Sequence, residues 1–322
     1  MSDEPDPKRP RGSSATIIDG KAVAATIRTE VKALVDELQR DHSVTPGLAV
    51  VLVGQRTDSA TYVRMKKRAA AECGFHSVDL DFEADVTQEK LEAAIDGLNA
   101  DDKVHGILVQ LPLPKHIDEA AILARINVAK DVDGFSAANI GNLCLRGGQP
   151  PLAVPCTPAG CVELLQRSGV AVSGKEVVVL GRSNIVGMPV AHLLQSMDAT
   201  VTVCHSRTAD LAAHCRRADI VVAAIGKAEM VPADWIKPGA TVIDVGINSK
   251  DAPELPKGYR LCGDVDFESV KAVAGAITPV PGGVGPMTIA MLLKNTVNLA
   301  RHSVGLPRAP LRTAENRTTV NP

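Results

Sequence analysis

The chain has 322 residues, 45% of them hydrophobic, and a net charge of -2, which suggests roughly two domains with buried cores and no electrostatic footprint for nucleic acid. Two Tyr, four Phe and one Trp leave few platforms for stacking single strands, so nucleic acid is not an expected partner. Seven cysteines, at 73, 144, 156, 161, 204, 215 and 262, form no C-x-x-C pair, which argues against a disulfide framework or a metal site and for reduced cytosolic thiols. No apolar run approaches the roughly 20 residues that cross a bilayer, so no membrane partner is expected and a cytoplasmic location is.

Residues 1–15 are polar and acidic, with three prolines, and read as a disordered tail. Their basic run Lys8-Arg9-Pro10-Arg11 reads as solvated charge before it reads as a nuclear address. From Ile17 the chain alternates helical and extended patterns, the signature of α/β layers with largely parallel sheets. Apolar residues at Val23, Ile27, Val31, Leu34, Val35 and Leu38 give a helix one buried stripe after Asp19-Gly20. Leu48 to Val53 predicts a buried strand, followed by a helix from Ser59 to Cys73 with Gly74 as its cap. A strand over 76–82, a helix over 87–98, a strand over 105–111 and a helix over 118–127 continue the cycle.

Prolines at 150, 151, 155 and 158 stiffen a crossing between two units, which divides the chain into a catalytic domain over 16–155 and a nucleotide domain over 156–280. Residues 281–303 form a loop and a helix, patterned over 289–301, that return to the first domain, and 304–322 a flexible tail carrying the sequon Asn316-Arg317-Thr318. A helix over 159–167 leads to the strand 177–180, which runs into Gly181-Arg182-Ser183-Asn184-Ile185-Val186-Gly187 and a helix starting near Met188-Pro189. Strand, glycine turn and helix form a dinucleotide-binding context, although the spacing departs from G-x-G-x-x-G. The next strand, 200–204, ends in His205-Ser206-Arg207-Thr208 where an NAD site would place Asp or Glu. With Arg182, these residues suit the 2′-phosphate of NADP; the plain alternative is two exposed arginines. Strands over 220–225 and 241–245 complete the nucleotide fold, ending at Gly226 and Gly246.

Three further stretches point to chemistry. Tyr62 and Lys66 share a helix face, pairing an aromatic ring that stacks on a planar substrate with an amine that moves protons where burial or a neighbour lowers its pKa. Lys67 and Arg68 follow, so a solvated basic face is the competing reading. Val109-Gln110-Leu111-Pro112 places an amide at a strand end, and Asp131-Val132-Asp133-Gly134 places carboxylates in a turn. Pro281-Gly282-Gly283-Val284-Gly285-Pro286-Met287-Thr288 reads as a stiff, glycine-rich ligand loop before a helix, against the alternative of a simple redirecting turn.

These motifs, in this order over residues 16–303, resemble the bifunctional methylenetetrahydrofolate dehydrogenase/cyclohydrolase family. The resemblance implies a two-domain α/β fold, an N-terminal catalytic domain and a Rossmann-like NADP domain with a cleft between them, and a homodimer formed through the nucleotide domains. It implies that NADP+ takes a hydride from 5,10-methylenetetrahydrofolate and that water then opens the methenyl cation to 10-formyltetrahydrofolate. By the resemblance Lys66 is catalytic in the hydrolysis, Gln110 holds its amine, Tyr62 stacks on the aminobenzoyl ring and Asp133 anchors the pterin. Val109, Leu111, Pro281, Gly282, Gly283, Val284 and Gly285 would line the folate side; Gly181, Arg182, Ser183, Ser206, Ile247 and Thr288 would contact NADP. No metal is implied. A monofunctional dehydrogenase, a shikimate-type dehydrogenase and an inactive folate-binding protein are the alternatives, and the presence of Lys66, Gln110 and Asp133 argues against them. The length leaves no room for the synthetase of trifunctional relatives, so formate-dependent activity is not expected.

Overall fold

The computed structural model describes residues 14–54, 57–255 and 258–309. The tail readings for 1–13 and 310–322, with the basic run and the sequon, lie outside the described residues.

The chain opens with β1 (Thr16–Ile17) and α1 (Gly20–His42), whose Asp19 side chain caps the first turn by accepting from the N–H groups of Lys21 and Ala22. Five residues at helical spacing, Ala24, Ile27, Val31, Val35 and Leu38, are buried, while Val23 and Leu34 flank the stripe half-buried. Next come β2 (Gly47–Val53), α2 (Thr57–Glu72), β3 (His76–Phe82), α3 (Gln88–Ala100), β4 (Gly106–Val109) and α4 (Glu119–Arg125). The three strands form a parallel sheet in the order β3-β2-β4. β2 and β4 are apolar runs because both faces of the sheet are covered, one by α3 and α4, the other by α2 and the long helix that ends the fold.

A short helix, α5 (Ala137–Cys144), precedes the crossing to the second unit. There α6 (Cys156–Arg167), β5 (Glu176–Leu180), α7 (Gly187–Ser196), β6 (Thr200–Cys204), α8 (Leu211–Arg217), β7 (Ile220–Ala223), β8 (Thr241–Asp244), β9 (Asn248–Asp251), β10 (Tyr259–Cys262), α9 (Phe267–Lys271), β11 (Ala276–Ile277) and α10 (Val284–Ser303) follow. The parallel sheet runs β1-β11-β8-β7-β5-β6, and β9 and β10 form a separate antiparallel hairpin.

Several boundaries differ from the sequence expectation for identifiable reasons. β1, assigned by sequence to the first unit, pairs with β11 at the edge of the second sheet, and Ala15 is buried there instead of belonging to a loose tail. At the other end Arg308 donates to the Pro151 carbonyl at 3.0 Å and the Ala309 N–H to Asn298 Oδ1 at 3.1 Å, so residues up to 309 pack onto the domain crossing. α6 begins at Cys156, within the stretch read as a proline linker, since Pro158 occupies the first turn, where its missing N–H has no partner to lose. The same rule lets α10 begin at Val284, inside the glycine-rich stretch, with Pro286 in its first turn. Gly285, Met287 and Thr288 are therefore helical, and the loop proper is Pro279 to Gly283.

α10 is the axis of the molecule. Fourteen of its residues are buried, and it packs on α1 and α6, so one apolar core runs from Val50 of β2 to Val179 of β5. Where α1, α6 and α10 meet, Arg167 bridges Glu30 and Glu163 at 2.7 and 2.8 Å, and Lys294 reaches Glu163 at 3.3 Å. The two units are thereby held about a fixed seam, with the carboxyl ends of β4, β5 and β8 facing a shared cleft.

Candidate active site

Between the units lies a cavity of about 360 Å³ lined by Tyr62, Lys66, Gln110, Asp133, Cys156 and Thr288 among others. α2 supplies Tyr62 and Lys66 from one face, four residues apart. β4 delivers Gln110 from the residue after its last rung, where the Gln110 N–H still donates to the Val51 carbonyl at 2.9 Å and so continues the ladder. The amine of Lys66, a residue only 9% exposed, donates to Gln110 Oε1 at 3.0 Å, and Gln110 Nε2 donates to the Leu111 carbonyl at 2.9 Å. The amide is thus held at both ends, and it aims its oxygen at the amine. The solvated basic face holds for Arg64 and Arg68, which are exposed, but not for Lys66.

Asp133 comes from a turn built by its neighbour. Buried Asp131 accepts from the N–H groups of Gly134 (3.0 Å) and Phe135 (3.3 Å) on Oδ1 and from the Ser136 N–H (2.7 Å) and Asn139 Nδ2 (3.0 Å) on Oδ2. That folds the backbone around Asp131 and leaves Asp133 facing the cleft. Burial pushes the Asp133 carboxyl up to about 6; the Lys66 ammonium pulls it down, Asp131 pushes it up, and a hydrogen bond from Cys156 pulls it down again. The Cys156 thiol lies 3.9 Å from Asp133 Oδ1 and 3.6 Å from the Val132 carbonyl. Burial raises that thiol well above its ordinary value, so it stays protonated beside the carboxyl. Asn295 on α10 clamps both segments by donating to the carbonyls of Val132 and Val154 at 2.9 and 2.8 Å.

The structure brings most of the sequence-predicted residues together. Tyr62, Lys66, Val109, Gln110, Leu111, Asp133, Val284, Gly285, Ile247 and Thr288 all line this cavity. Pro281, Gly282 and Gly283 line an adjoining cavity of about 250 Å³ instead, which shares Tyr62, Ile247, Val284 and Gly285 with the first. Thr288, expected on the cofactor, also bonds Thr157 side chain to side chain at 2.9 Å, joining the first turns of α10 and α6. Gly181, Arg182, Ser183 and Ser206 line neither cavity; they stand at the carboxyl ends of β5 and β6, whose last residues Leu180 and Cys204 are register partners. Sequence reasoning missed Cys156 and Thr157, hidden in a stretch read as linker, and Ile185 and Val186, which line the cleft from the loop before α7. Asn139 and Asn295 were missed as well, because their partners lie outside any one local pattern, 8 to 14 residues from Asn139 and more than 130 from Asn295.

The glycine turn after β5 fits a dinucleotide. Ser183 Oγ accepts from the N–H groups of Val186 and Gly187 at 3.2 and 3.3 Å, folding the loop over the start of α7, while Arg182, Ser206 and Arg207 remain exposed beside it. No acidic side chain ends β6, where His205 and Thr208 close a turn through the His205 N–H, 2.9 Å from Thr208 Oγ1.

Comparison with known proteins agrees with this arrangement. The model of the tetrahydrofolate dehydrogenase/cyclohydrolase catalytic domain matches residues 18–133, and that of the tetrahydrofolate dehydrogenase/cyclohydrolase NAD(P)-binding domain matches 155–304. The chain is 56% identical over 292 residues to bifunctional protein FolD 2 of Arabidopsis thaliana, covering 91% of this chain and 97% of that one. It is 58% identical over 294 residues to bifunctional protein FolD 1 of Roseobacter denitrificans, with the same coverages. Among solved structures, the Trypanosoma brucei methylenetetrahydrofolate dehydrogenase-cyclohydrolase, complexed with NADP cofactor and inhibitor, superposes with a TM-score of 0.87 at 49% identity, covering 91% of this chain and 99% of that one. The Campylobacter jejuni bifunctional enzyme gives 0.83 at 46%, covering 90% and 100%. With both domains matched in order and the cleft between the two units in place, this chain belongs to the tetrahydrofolate dehydrogenase/cyclohydrolase family and is a bifunctional dehydrogenase and cyclohydrolase.

Proposed function

We propose that one cleft carries both reactions: oxidation of 5,10-methylenetetrahydrofolate to the 5,10-methenyl cation, then hydrolysis to 10-formyltetrahydrofolate. The observation that carries this reading is the Lys66–Gln110 pair, 3.0 Å apart, in the wall of a cavity bounded by the cofactor half on its other side. NADP+, when bound, supplies the hydride acceptor, and the Gly181 turn with exposed Arg182, Ser183 and Ser206 would hold it, the two polar strand ends suiting a 2′-phosphate. Tyr62 would stack on the aminobenzoyl ring, and Asp133 would accept the pterin N–H groups. In its neutral form Lys66 has a lone pair to take a proton from the attacking water while an N–H still donates to Gln110, a base held in place for the second step. Nothing favours a monofunctional dehydrogenase.

The chain's labour would divide near residue 155, with the folate half over 16–155 and 281–303 and the cofactor half over 156–280. Exposed Leu255, Tyr259 and Leu261 on the β9–β10 hairpin and its turn support a homodimer formed through the nucleotide units. Seven unpaired thiols support a cytoplasmic location, and the 10-formyl product a place in purine biosynthesis. Among the described residues no helix is long and apolar enough to cross a membrane.

The pterin anchor is tested by pH. Only the carboxylate form of Asp133 accepts on both oxygens, and its folded value is about 6, so the KM for folate should climb about tenfold per unit as pH falls below that value, one proton being involved. Initial rates between pH 5 and 8 read this, and an Asp133→Asn variant should raise the KM throughout and flatten the slope. A wild-type KM that stays level through this range would remove the anchor. The same shift bears on stability with a definite sign: the folded value lies above the unfolded one of 3.8, so this group's contribution is full below 3.8 and is lost as pH rises through about 6.

A further inference from the structure

The six-stranded sheet reverses its winding between β5 and β7, and in open α/β sheets ligands bind in the crevice at such a point. The loop leaving β7, Ile225-Gly226-Lys227, flanks that crevice, and all three of its backbone N–H groups donate to one carboxylate. Ile225 and Gly226 reach Asp264 Oδ2 at 2.6 and 2.9 Å, and Lys227 reaches Oδ1 at 2.9 Å. The same Oδ1 accepts Asn248 Nδ2 at 2.9 Å, from the residue after Ile247, which lines the cleft. Asp264 is fully buried. Its own backbone N–H donates to Asp244 Oδ1 at 2.9 Å; the Gly246 N–H donates to the same oxygen at 3.0 Å and the Val265 N–H to Oδ2 at 3.0 Å. A Cβ at Gly246 would stand 2.3 Å from Asp264 Oδ1, so the Ile247 turn approaches the carboxylate as closely as bare backbone permits.

We propose that Asp264 is a positioning residue for the cofactor half of the reaction: it fixes the 225–227 loop and the Ile247 turn at the crevice, and so governs hydride transfer but not the hydrolytic step. Four N–H donors, three from the 225–227 loop and one from the Asn248 side chain, converge on the two oxygens of a buried side chain, and a carboxylate is the group of that size with acceptor capacity for all four. Removing it would leave partly buried donors without their acceptor, each loss unfavourable in its own right. The loop it holds is in turn a wall for the glycine turn after β5, because the Ala224 carbonyl lies where a Cβ at Gly181 would be, 2.1 Å away. The hydrolytic pair stands apart: Lys66 and Gln110 sit on α2 and at the end of β4 and bond to each other and to Leu111, none of them a partner of Asp264. Displacement of the 225–227 loop would therefore disturb the dinucleotide side and leave the amine and amide in register.

This assignment rests on the reading of the cleft given above, and its test separates the two. The full-length Asp264→Asn variant is assayed for NADP+ reduction with 5,10-methylenetetrahydrofolate and, without cofactor, for hydrolysis of supplied 5,10-methenyltetrahydrofolate. An amide has one oxygen for four donors, so the KM for NADP+ should rise about tenfold or more, with hydrolysis within about twofold of wild type. An unchanged KM for NADP+, or a parallel fall of both activities in a folded variant, overturns the proposal. Should Asp264→Asn fail to fold, Asn248→Ala decides the matter, since it removes one donor and no backbone group. It should raise the KM for NADP+ about threefold or more at constant hydrolysis, and an unchanged KM again overturns the proposal. Wild-type protein that fails to reduce NADP+ would remove the functional reading instead, and calorimetric titration of wild type and variant with NADP+ would then still test the assignment without turnover.

Discussion

Lys66→Met should yield an enzyme that still reduces NADP+ but lets the methenyl intermediate accumulate, with hydrolysis of supplied 5,10-methenyltetrahydrofolate lowered by at least about 10²-fold, the lower range for loss of a positioned acid-base group. Met matches the length and apolar stem of a lysine that is 9% exposed, so the packing of α2 against the cleft wall is preserved. The substitution leaves Gln110 Oε1 without its donor, a loss of about 1–3 kcal/mol that the fold should tolerate. Hydride transfer needs no group to take a proton from water, so the two activities should separate, and that separation distinguishes a chemical role from simple damage to the site. Rapid-mixing absorbance on the methenyl band, beside reduced-cofactor formation, reads both. Hydrolysis at the wild-type rate in the variant would eliminate Lys66 as the base.

Gly181→Ala should abolish productive cofactor binding. Gly181 has φ +114°, a region that L side chains rarely adopt, and a Cβ there would meet the Ala224 carbonyl oxygen at 2.1 Å and its carbon at 2.9 Å. Either the turn after β5 or the loop after β7 must move, and these form the two sides of the crevice. Forcing a residue into such a conformation costs about 1–3 kcal/mol before the clash is counted, so a visibly lower denaturation midpoint is expected as well. The KM for NADP+ should rise far more than the KM for folate, because Tyr62, Gln110 and Asp133 are carried on other elements. Equal rises in the two, or none, would show that the turn does not hold the dinucleotide.

What was legible in the sequence divides along physical lines. α1 could be read because its stripe repeats from Ala24 to Leu38, about four turns, and β2, β5 and β7 because strands buried on both faces become unbroken apolar runs. The pairing of Tyr62 with Lys66 was visible because helical spacing alone places them together. α5 went unread: it spans eight residues, and its Ser136 cap is the clearest local signal. The β9–β10 hairpin is exposed along most of its length and lacks the alternation that burial imposes. Ile225 looked like a continuation of β7, yet its N–H is taken by Asp264 instead of a neighbouring strand. Asp264, Asn139 and Asn295 act through partners 8 to 163 residues away, and no local pattern reports such contacts. The start of α10 was obscured because glycine and proline signal a loop in most contexts, although proline suits the first turn of a helix, where no internal N–H bond is lost.

The measurement that bears most directly on a single bifunctional cleft is an absorbance time course of purified protein with 5,10-methylenetetrahydrofolate and NADP+, repeated with NAD+, following reduced cofactor and the methenyl intermediate together. The two-step cleft predicts reduced cofactor formed faster with NADP+ than with NAD+, with little methenyl accumulating. Methenyl accumulating and decaying only at its uncatalysed rate, or no reduction with either cofactor, would contradict it.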